Sequence, residues 1–278
     1  MKFENIISVC HIKHLSVWKK ASINIIKYIE SENYTVIVPQ IHLAIFKKNS
    51  PSEYKIISEE KYKPSFNAKL ESKSYKSKTN INWYFQQFLK LSALEEISSE
   101  KFGLIWDADS VPLKKLIFIK KNKVLFYKSS EFHKQYFDNL ETLLKFKKKN
   151  NHSFIAKCMP VKGIWFKELL KTIEDLNKKK WQDAIIESIK FEQIKAFSEY
   201  EMIGTYVQNN YLNEIEIINN KWYRNGNSLI GSINNLKYFS RILSLKYDFI
   251  AFEKWDKFNI NLIPFKIIAR IKRIFNIK

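Results

Sequence analysis

The sequence predicts an α/β fold, a single Rossmann-type domain whose mixed, mainly parallel sheet is flanked by helices. Short apolar runs alternate with stretches of helical periodicity, and parallel strands need such crossover helices. The chain has 278 residues, 45% of them hydrophobic, so it can bury one large core. Its 5 glycines and 6 prolines are too few for a collagen-like or low-complexity chain.

The elements follow from apolar spacing, taken in chain order. Strands are predicted at residues 5–9, 34–38 (ended by Pro39), 54–57, 102–106, 123–127, 154–159, 214–218 and 249–252. Helices are predicted at 15–30, 82–97, 132–146, 165–176, 181–189 and 198–207, with a polar surface loop at 59–80. Ser198 and Glu201 have the spacing of a capping box, which predicts a helix start at Ser198.

The charge balance points to phosphate-rich partners. The chain has 48 basic and 28 acidic residues, a net charge of +20. The basic residues are scattered and no helix-turn-helix, zinc or RNA-recognition motif is found, so no nucleic-acid partner is expected, although a basic nucleic-acid-binding protein stays an alternative. Cys10 and Cys158 suit a reducing compartment, and no signal-peptide or membrane-spanning run is found. We therefore expect a cytoplasmic protein.

One short motif carries chemistry. In FGLIWDADSVPL, residues 102–113, an apolar strand ends in Asp107 and Asp109. Ligands of parallel sheets bind beyond the carboxyl ends of strands, and residues two apart in extended backbone face the same side. Two converging carboxylates repel unless a cation lies between them, and Mg²⁺ binds such carboxylates together with substrate phosphates. The motif therefore indicates a diphosphate site, and an ordinary turn is the alternative.

Three segments together carry a family resemblance: NWYFQQFLKLSAL, LIWDADSVPL and FSEYEMIGTYV. They are similar to a bacterial family of DxD-containing GT-A-type glycosyltransferases found with lipopolysaccharide and capsule genes. The resemblance spans roughly residues 80–255. It implies a GT-A-like fold, a nucleotide-sugar donor (a UDP-sugar by family habit), Mn²⁺ or Mg²⁺ as cofactor, and an oligosaccharide or lipid-linked glycan acceptor.

The resemblance also implies roles for individual residues. Asp109 would be the direct metal ligand, and Asp107 a ribose or water-mediated contact. A third ligand from late in the chain is not assigned, and His133 and His152 are candidates by chemistry alone. Glu201 or Glu199 would be the catalytic base that an inverting transferase requires.

Other side chains are candidates for binding the donor or a sugar. Gln86, Gln87 and Trp83 could contact the donor from the helix before the motif, or form an ordinary helix flank. The basic candidates beside the pocket are Lys90, Lys162 and Arg224. Trp222, Tyr223 and Arg224 precede Asn225 and Gly226 in a turn that could stack on a sugar.

The carboxyl-terminal segment LIPFKIIARIKRIFNIK, residues 262–278, has isoleucines at helical spacing, basic residues on another face and no acidic residue. This composition is typical of a helix at a membrane interface. We expect a catalytic domain at 1–261 and a basic amphipathic helix at 262–278. That helix would bind an anionic membrane surface, placing the protein peripherally on the inner membrane, or pack on the domain.

A haloacid-dehalogenase-like phosphatase is the enzymatic alternative. Its first motif also places DxD after an apolar strand, with Asp107 as nucleophile and Asp109 as acid and base. About 100 residues precede the motif here, whereas that motif usually begins its domain, and no convincing later acidic pair is found.

Overall fold

The computed structural model describes residues 2–131, 133–148, 151–219 and 221–257. The strands are β1 Phe3–Val9, β2 Ser31–Val38, β3 Tyr54–Ser58, β4 Phe102–Trp106, β5 Ser110–Pro112, β6 Ile119–Lys120, β7 Lys123–Tyr127, β8 Cys158–Lys162, β9 Ile215–Ile218, β10 Trp222–Tyr223 and β11 Phe249–Ala251. The helices are α1 Leu15–Tyr28, α2 Leu43–Asn49, α3 Asn67–Ser72, α4 Ile81–Leu94, α5 Lys134–Leu144, α6 Gly163–Asn177, α7 Trp181–Ser188, α8 Glu199–Asn210, α9 Gly226–Ile230 and α10 Leu236–Lys246.

The main sheet has the strand order β3-β2-β1-β4-β8. The first four strands are parallel, and β8 runs antiparallel to β4. The carboxyl ends of β1 to β4 therefore meet at one side of the sheet, here named the carboxyl edge. This topology confirms the predicted mixed, mainly parallel sheet.

The sheet separates two apolar cores. Alternate residues of β1 face opposite sides, because side chains of a strand point up and down in turn. Ile6 packs in the core that contains Trp18 of α1, whereas Ile7 packs in the core that contains Phe88 of α4. Each of these fully buried side chains stabilises the fold by about 1.5–3 kcal/mol. The result is a three-layer α/β/α arrangement.

A small sheet, β10-β11-β5, brings the late part of the chain to the carboxyl edge. β5 follows the DxD turn directly and pairs antiparallel with β11. Where β11 ends, the N–H of Phe252 donates to the carbonyl oxygen of Asp109 at 2.8 Å. Glu253, the next residue, is thereby placed beside the DxD motif.

Helix α8 packs unusually close to the segment that precedes β8. A Cβ atom at Gly204 would lie 2.3 Å from the ring of Phe154, so only glycine fits there. The carboxylate of Glu201, in the first turn of α8, accepts the N–H of Phe154 at 3.0 Å. These two contacts fix the path of the chain toward β8.

The predicted strands at 102–106 and 123–127 are confirmed to the residue. The loop predicted at 59–80 is wrong in part, because Phe66 and Leu70, four residues apart, are buried around α3. The strand predicted at 154–159 begins at Cys158 instead. Lys157 has a φ of +67°, and this left-handed backbone interrupts the extended path before that point.

The structure does not test the predictions for the carboxyl end of the chain. The boundary at residue 261 and the helix at 262–278 lie outside the described residues. Within the described ranges, every helix is too short or too polar to span a bilayer.

Candidate functional site

Asp107 and Asp109 lie at the carboxyl edge, in a tight turn that follows β4. The N–H of Ser110 donates to the carbonyl oxygen of Asp107 at 3.0 Å, which closes the turn. The side chains of Asp107 and Asp109 are only 20% and 13% exposed. Buried carboxylates need cations or hydrogen-bond donors around them.

Two helices supply partners for Asp107. From α4, the ammonium of Lys90 lies 2.5 Å from Oδ1 of Asp107 and 2.8 Å from Glu199. From α8, the hydroxyl of Tyr200 donates to the same Oδ1 at 2.9 Å. Lys90, predicted only as one of several basic candidates, therefore belongs to the site.

Gln87 joins the two helices. Its Oε1 accepts the N–H of Glu199 at 2.9 Å, and its Nε2 donates to the carbonyl oxygen of Trp83 at 3.1 Å. Trp83 stacks on Tyr136, and Gln86 is half-buried on α4. Gln87 thus positions Glu199 beside Lys90. Contacts of Gln86, Gln87 and Trp83 with the donor stay a prediction.

Lys157 lies among three carboxylates. Its Nζ is 2.7 Å from Glu253, 3.3 Å from Asp109 and 3.5 Å from Asp107. Its carbonyl oxygen accepts the N–H of Asp107 at 2.9 Å. The lysine is therefore held to the DxD turn by both its backbone and its side chain.

Glu253 and Arg224 connect this cluster to a neighbouring cavity. The Nε of Arg224 donates to Glu253 at 2.9 Å, and its other end pairs with Glu131. The cavity has a volume of about 410 Å³, within the range of ligand sites. It is lined by Ser129, Ser130, Glu131, His133, Lys195, Trp222, Tyr223, Arg224 and Asn225. The turn predicted to contact a sugar thus forms one wall of the cavity.

The two aspartates have opposite electrostatic environments. Burial opposes ionisation of Asp107, but Lys90 and Lys157 outweigh it and hold its pKa well below the ordinary value. Burial raises the pKa of Asp109; Lys157 opposes this rise, and the Glu253 and Asp107 carboxylates add to it. Asp109 is therefore the carboxylate whose charge is least compensated.

A basic rim adjoins the same edge. His11 follows β1 and His42 follows β2, and their rings lie 6.0 Å apart edge-to-face. Burial lowers the pKa of His11, and Lys13, His42, His14 and Lys254 lower it further. These histidines were not predicted from the sequence, although residues after β1 and β2 follow strand ends just as Asp107 does.

Glu201 lies apart from this arrangement. Its fully buried carboxylate pairs with Lys148 at 2.5 Å and accepts the N–H of Phe154. A base must reach the hydroxyl it deprotonates, so this geometry does not favour the predicted role. Glu199, the other predicted base, lies at the carboxyl edge, where its side chain is also buried (5% exposed) and pairs with Lys90 at 2.8 Å.

Three further candidates lie elsewhere. Lys162 pairs with Phe102, at the opposite end of β4 from the aspartates. His133 lines the cavity and contacts Glu131 at 3.0 Å. Burial lowers the pKa of His152 to about 4, and its ring packs edge-on against Phe154. The acidic side chain brought to the DxD motif from late in the chain is Glu253.

Whether a divalent metal fits among these carboxylates depends on the position of Lys157. Carboxylate oxygens are suitable ligands for Mn²⁺ or Mg²⁺. The position among these three carboxylates is nevertheless filled by an ammonium group, which a bound metal would have to displace. Over the described residues, no three His, Cys, Asp or Glu side chains are grouped so that they could hold a metal ion. As arranged, these side chains do not fit the predicted cofactor.

Comparison with protein families gives a match over residues 15–229, to a family of unknown function, DUF6492. The chain belongs to that family. No curated protein matches the chain in sequence.

Solved structures resemble the chain in fold. Mouse xyloside xylosyltransferase 1, in its apo form, superposes with a TM-score of 0.50 at 8% identity, covering 93% of this chain and 100% of that one. The galactosyltransferase LgtC, in complex with donor and acceptor sugar analogues, has a TM-score of 0.49 at 9% identity, covering 98% and 95%. The likeness to the mouse enzyme shows a shared fold and confirms the predicted GT-A-like architecture.

Asp107→Asn and Asp109→Asn are expected to change stability in opposite directions. The lowered pKa of Asp107 means that its charge stabilises the folded state at neutral pH, so its loss should lower the free energy of unfolding by about 1–3 kcal/mol. The raised pKa of Asp109 means that its charge destabilises the folded state, so its loss should raise that free energy. Urea unfolding at pH 7 measures both changes.

The pH dependence of the stability difference between wild type and Asp107→Asn provides the control. The stability contributed by Asp107 is complete above its unfolded-state pKa and is lost as the pH falls through the lower folded-state value. The difference between wild type and Asp107→Asn should therefore shrink in acid. Equal destabilisation by the two substitutions at pH 7 would contradict this account of the site.

Proposed function

We propose that this protein is a glycosyltransferase that binds a nucleotide-sugar donor at the carboxyl edge. The observation that carries the proposal is the convergence of Asp107, Asp109, Lys90 and Lys157 at the strand ends of a GT-A-like sheet. The xylosyltransferase name of the mouse structure is consistent with this function. The donor is proposed to be a UDP-sugar, on the family resemblance of the three sequence segments.

Sugar transfer requires positive charge beside the leaving diphosphate and a base near the acceptor hydroxyl. When the bond between the sugar and the diphosphate breaks, negative charge develops on the leaving diphosphate, and preorganised cations stabilise it. Lys157 adjoins Asp109 and supplies positive charge there, and Lys13 and Lys254 supply more beside His11, whose pKa they lower. The acceptor hydroxyl must lose its proton, and Glu199 is the proposed base for an inverting reaction.

The acceptor is proposed to bind in the cavity that Arg224 links to Glu253. Trp222 and Tyr223 offer aromatic surface, and Ser129, Ser130 and Asn225 offer hydroxyl and amide groups. Aromatic rings with polar neighbours suit a sugar, which has apolar C–H faces and many hydroxyls. An oligosaccharide or lipid-linked glycan of a bacterial surface polysaccharide is the proposed acceptor class.

Calorimetric titration of UDP, GDP and ADP, each with and without Mn²⁺, tests the donor site. We expect one nucleoside diphosphate to bind and Asp107→Asn, which alters the proposed ribose contact, to weaken that binding by about tenfold or more, a loss of about 1.4 kcal/mol. The control is Asp248→Asn, because Asp248 is a similarly buried carboxylate (14% exposed) that pairs with Lys114 outside the site. The proposal fails if no nucleotide binds under any condition, and phosphatase activity is then the next assay.

Ser130→Trp tests the acceptor cavity. Ser130 is exposed at the cavity wall, so an indole there should fill the space without touching Asp107 or Asp109. We expect nucleotide affinity to stay within about twofold, less than 0.5 kcal/mol, while glycan binding on an array is lost. Ser130→Ala is the conservative control. Unchanged array signals in Ser130→Trp would place the acceptor elsewhere.

Peripheral membrane binding is proposed for residues 262–278, from their sequence alone. Basic residues and isoleucines on separate helical faces favour an anionic bilayer surface. Deletion of 262–278 should abolish cosedimentation with phosphatidylglycerol vesicles. Replacing Lys266, Arg270 and Arg273 by glutamine in the full chain separates the contribution of charge. Equal cosedimentation of the deleted and full chains would refute the proposal.

A further inference from the structure

We infer that Lys157 is the resident cation of the donor site, so that a nucleoside diphosphate binds there without a divalent metal. The inference rests on the proposed donor site, and it replaces the predicted Mn²⁺ or Mg²⁺ with a side chain of this chain. Two features support the inference: the carboxylates around the ammonium group of Lys157 and the backbone conformation of that residue.

The ammonium group is surrounded as a bound cation would be. Three carboxylates, from two separate segments of the chain, lie 2.7 to 3.5 Å from its Nζ. The Lys157 side chain is only 8% exposed. Burial by itself would lower the pKa of this ammonium, but Asp109, Asp107 and Glu253 raise it above the ordinary lysine value. The group is therefore a permanent positive charge at neutral pH.

The backbone conformation of Lys157 is fixed by its neighbours. A φ of +67° is a left-handed conformation, which costs a residue with a Cβ about 1–2 kcal/mol. Such a conformation persists only where neighbouring contacts determine it. Here the carbonyl oxygen of Lys157 is bound by the N–H of Asp107 at 2.9 Å, and Glu201 holds Phe154 three residues earlier.

A metal and this ammonium group compete for the same place. A Mg²⁺ ion lies about 2.0–2.1 Å from its oxygen ligands, so an ion bound to these three carboxylates would take the space of Nζ. Two cations at that separation repel strongly in a poorly solvated site. Lys157 can instead act through its charge alone, as a compact and permanent cation beside the phosphate groups.

Lys157→Met tests the inference, because methionine has a similar length and no charge. Lys114→Met is the control: Lys114 also pairs with a buried carboxylate, that of Asp248 at 3.0 Å, but outside the site. Two readouts are used on the full chain. Calorimetry measures the affinity for UDP, GDP and ADP in EDTA and in Mn²⁺, and electron paramagnetic resonance measures binding of Mn²⁺ alone.

We expect the wild-type protein to bind its nucleotide in EDTA within about threefold of its affinity in Mn²⁺, a difference under 0.7 kcal/mol. Lys157→Met should lose about tenfold or more of the affinity in EDTA, which is 1.4 kcal/mol. The same variant should gain binding of one Mn²⁺, because three carboxylates then lack their cation. Lys114→Met should show neither change.

Several outcomes would overturn the inference, and they are distinguishable from failure of the proposed function. If EDTA abolishes nucleotide binding to the wild type and Mn²⁺ restores it, the donor site stands and Lys157 is not its cation. If no nucleotide binds in either condition, the donor site itself is refuted. Should Lys157→Met not fold, the wild-type measurements in EDTA and with Mn²⁺ alone still decide the question.

Discussion

The arrangement of the carboxyl edge depends on the pairing of Asp107 with two buried lysines. An ammonium and a carboxylate taken out of water each cost several kcal/mol, and a buried pair is tolerated only with good geometry and additional hydrogen bonds. Lys90 therefore requires Glu199 as a second partner, and Asp107 requires Tyr200. Since these partners come from β4, α4 and α8, the network forms only when the sheet and both helices are in place.

Helix geometry explains why Glu199 and Glu201 have separate tasks. Residues two apart on a helix do not face the same side, because each step turns the helix by about 100°. Glu199 therefore faces Lys90 at the carboxyl edge, whereas Glu201 faces Lys148 and the segment before β8. Glu201 holds that segment through Phe154, and the same segment carries Lys157. Its contribution to the site is thus positional, a role that follows from the period of the helix.

The sequence predicted those parts of the site that obey local rules. Asp107 and Asp109 follow an unbroken apolar strand, and Ser198 has the spacing of a helix cap, so both were found. Lys157 could not be found, since it is one of 48 basic residues and lies inside what spacing predicts as a strand. Its role depends on pairing of β4 with β8 and on a left-handed backbone, neither of which has a local signature here. Glu253 follows β11 as Asp107 follows β4, so the same argument, applied to every predicted strand, identifies it.

A cation that belongs to the chain has different physical consequences from one taken from solution. Its binding is settled when the protein folds, so occupancy does not depend on the metal concentration or compete with other ions. It also carries one charge rather than two, which makes each phosphate contact weaker. Further positive charge is then needed around the diphosphate, and Lys13 and Lys254, which act on His11 after β1, supply it at the carboxyl edge.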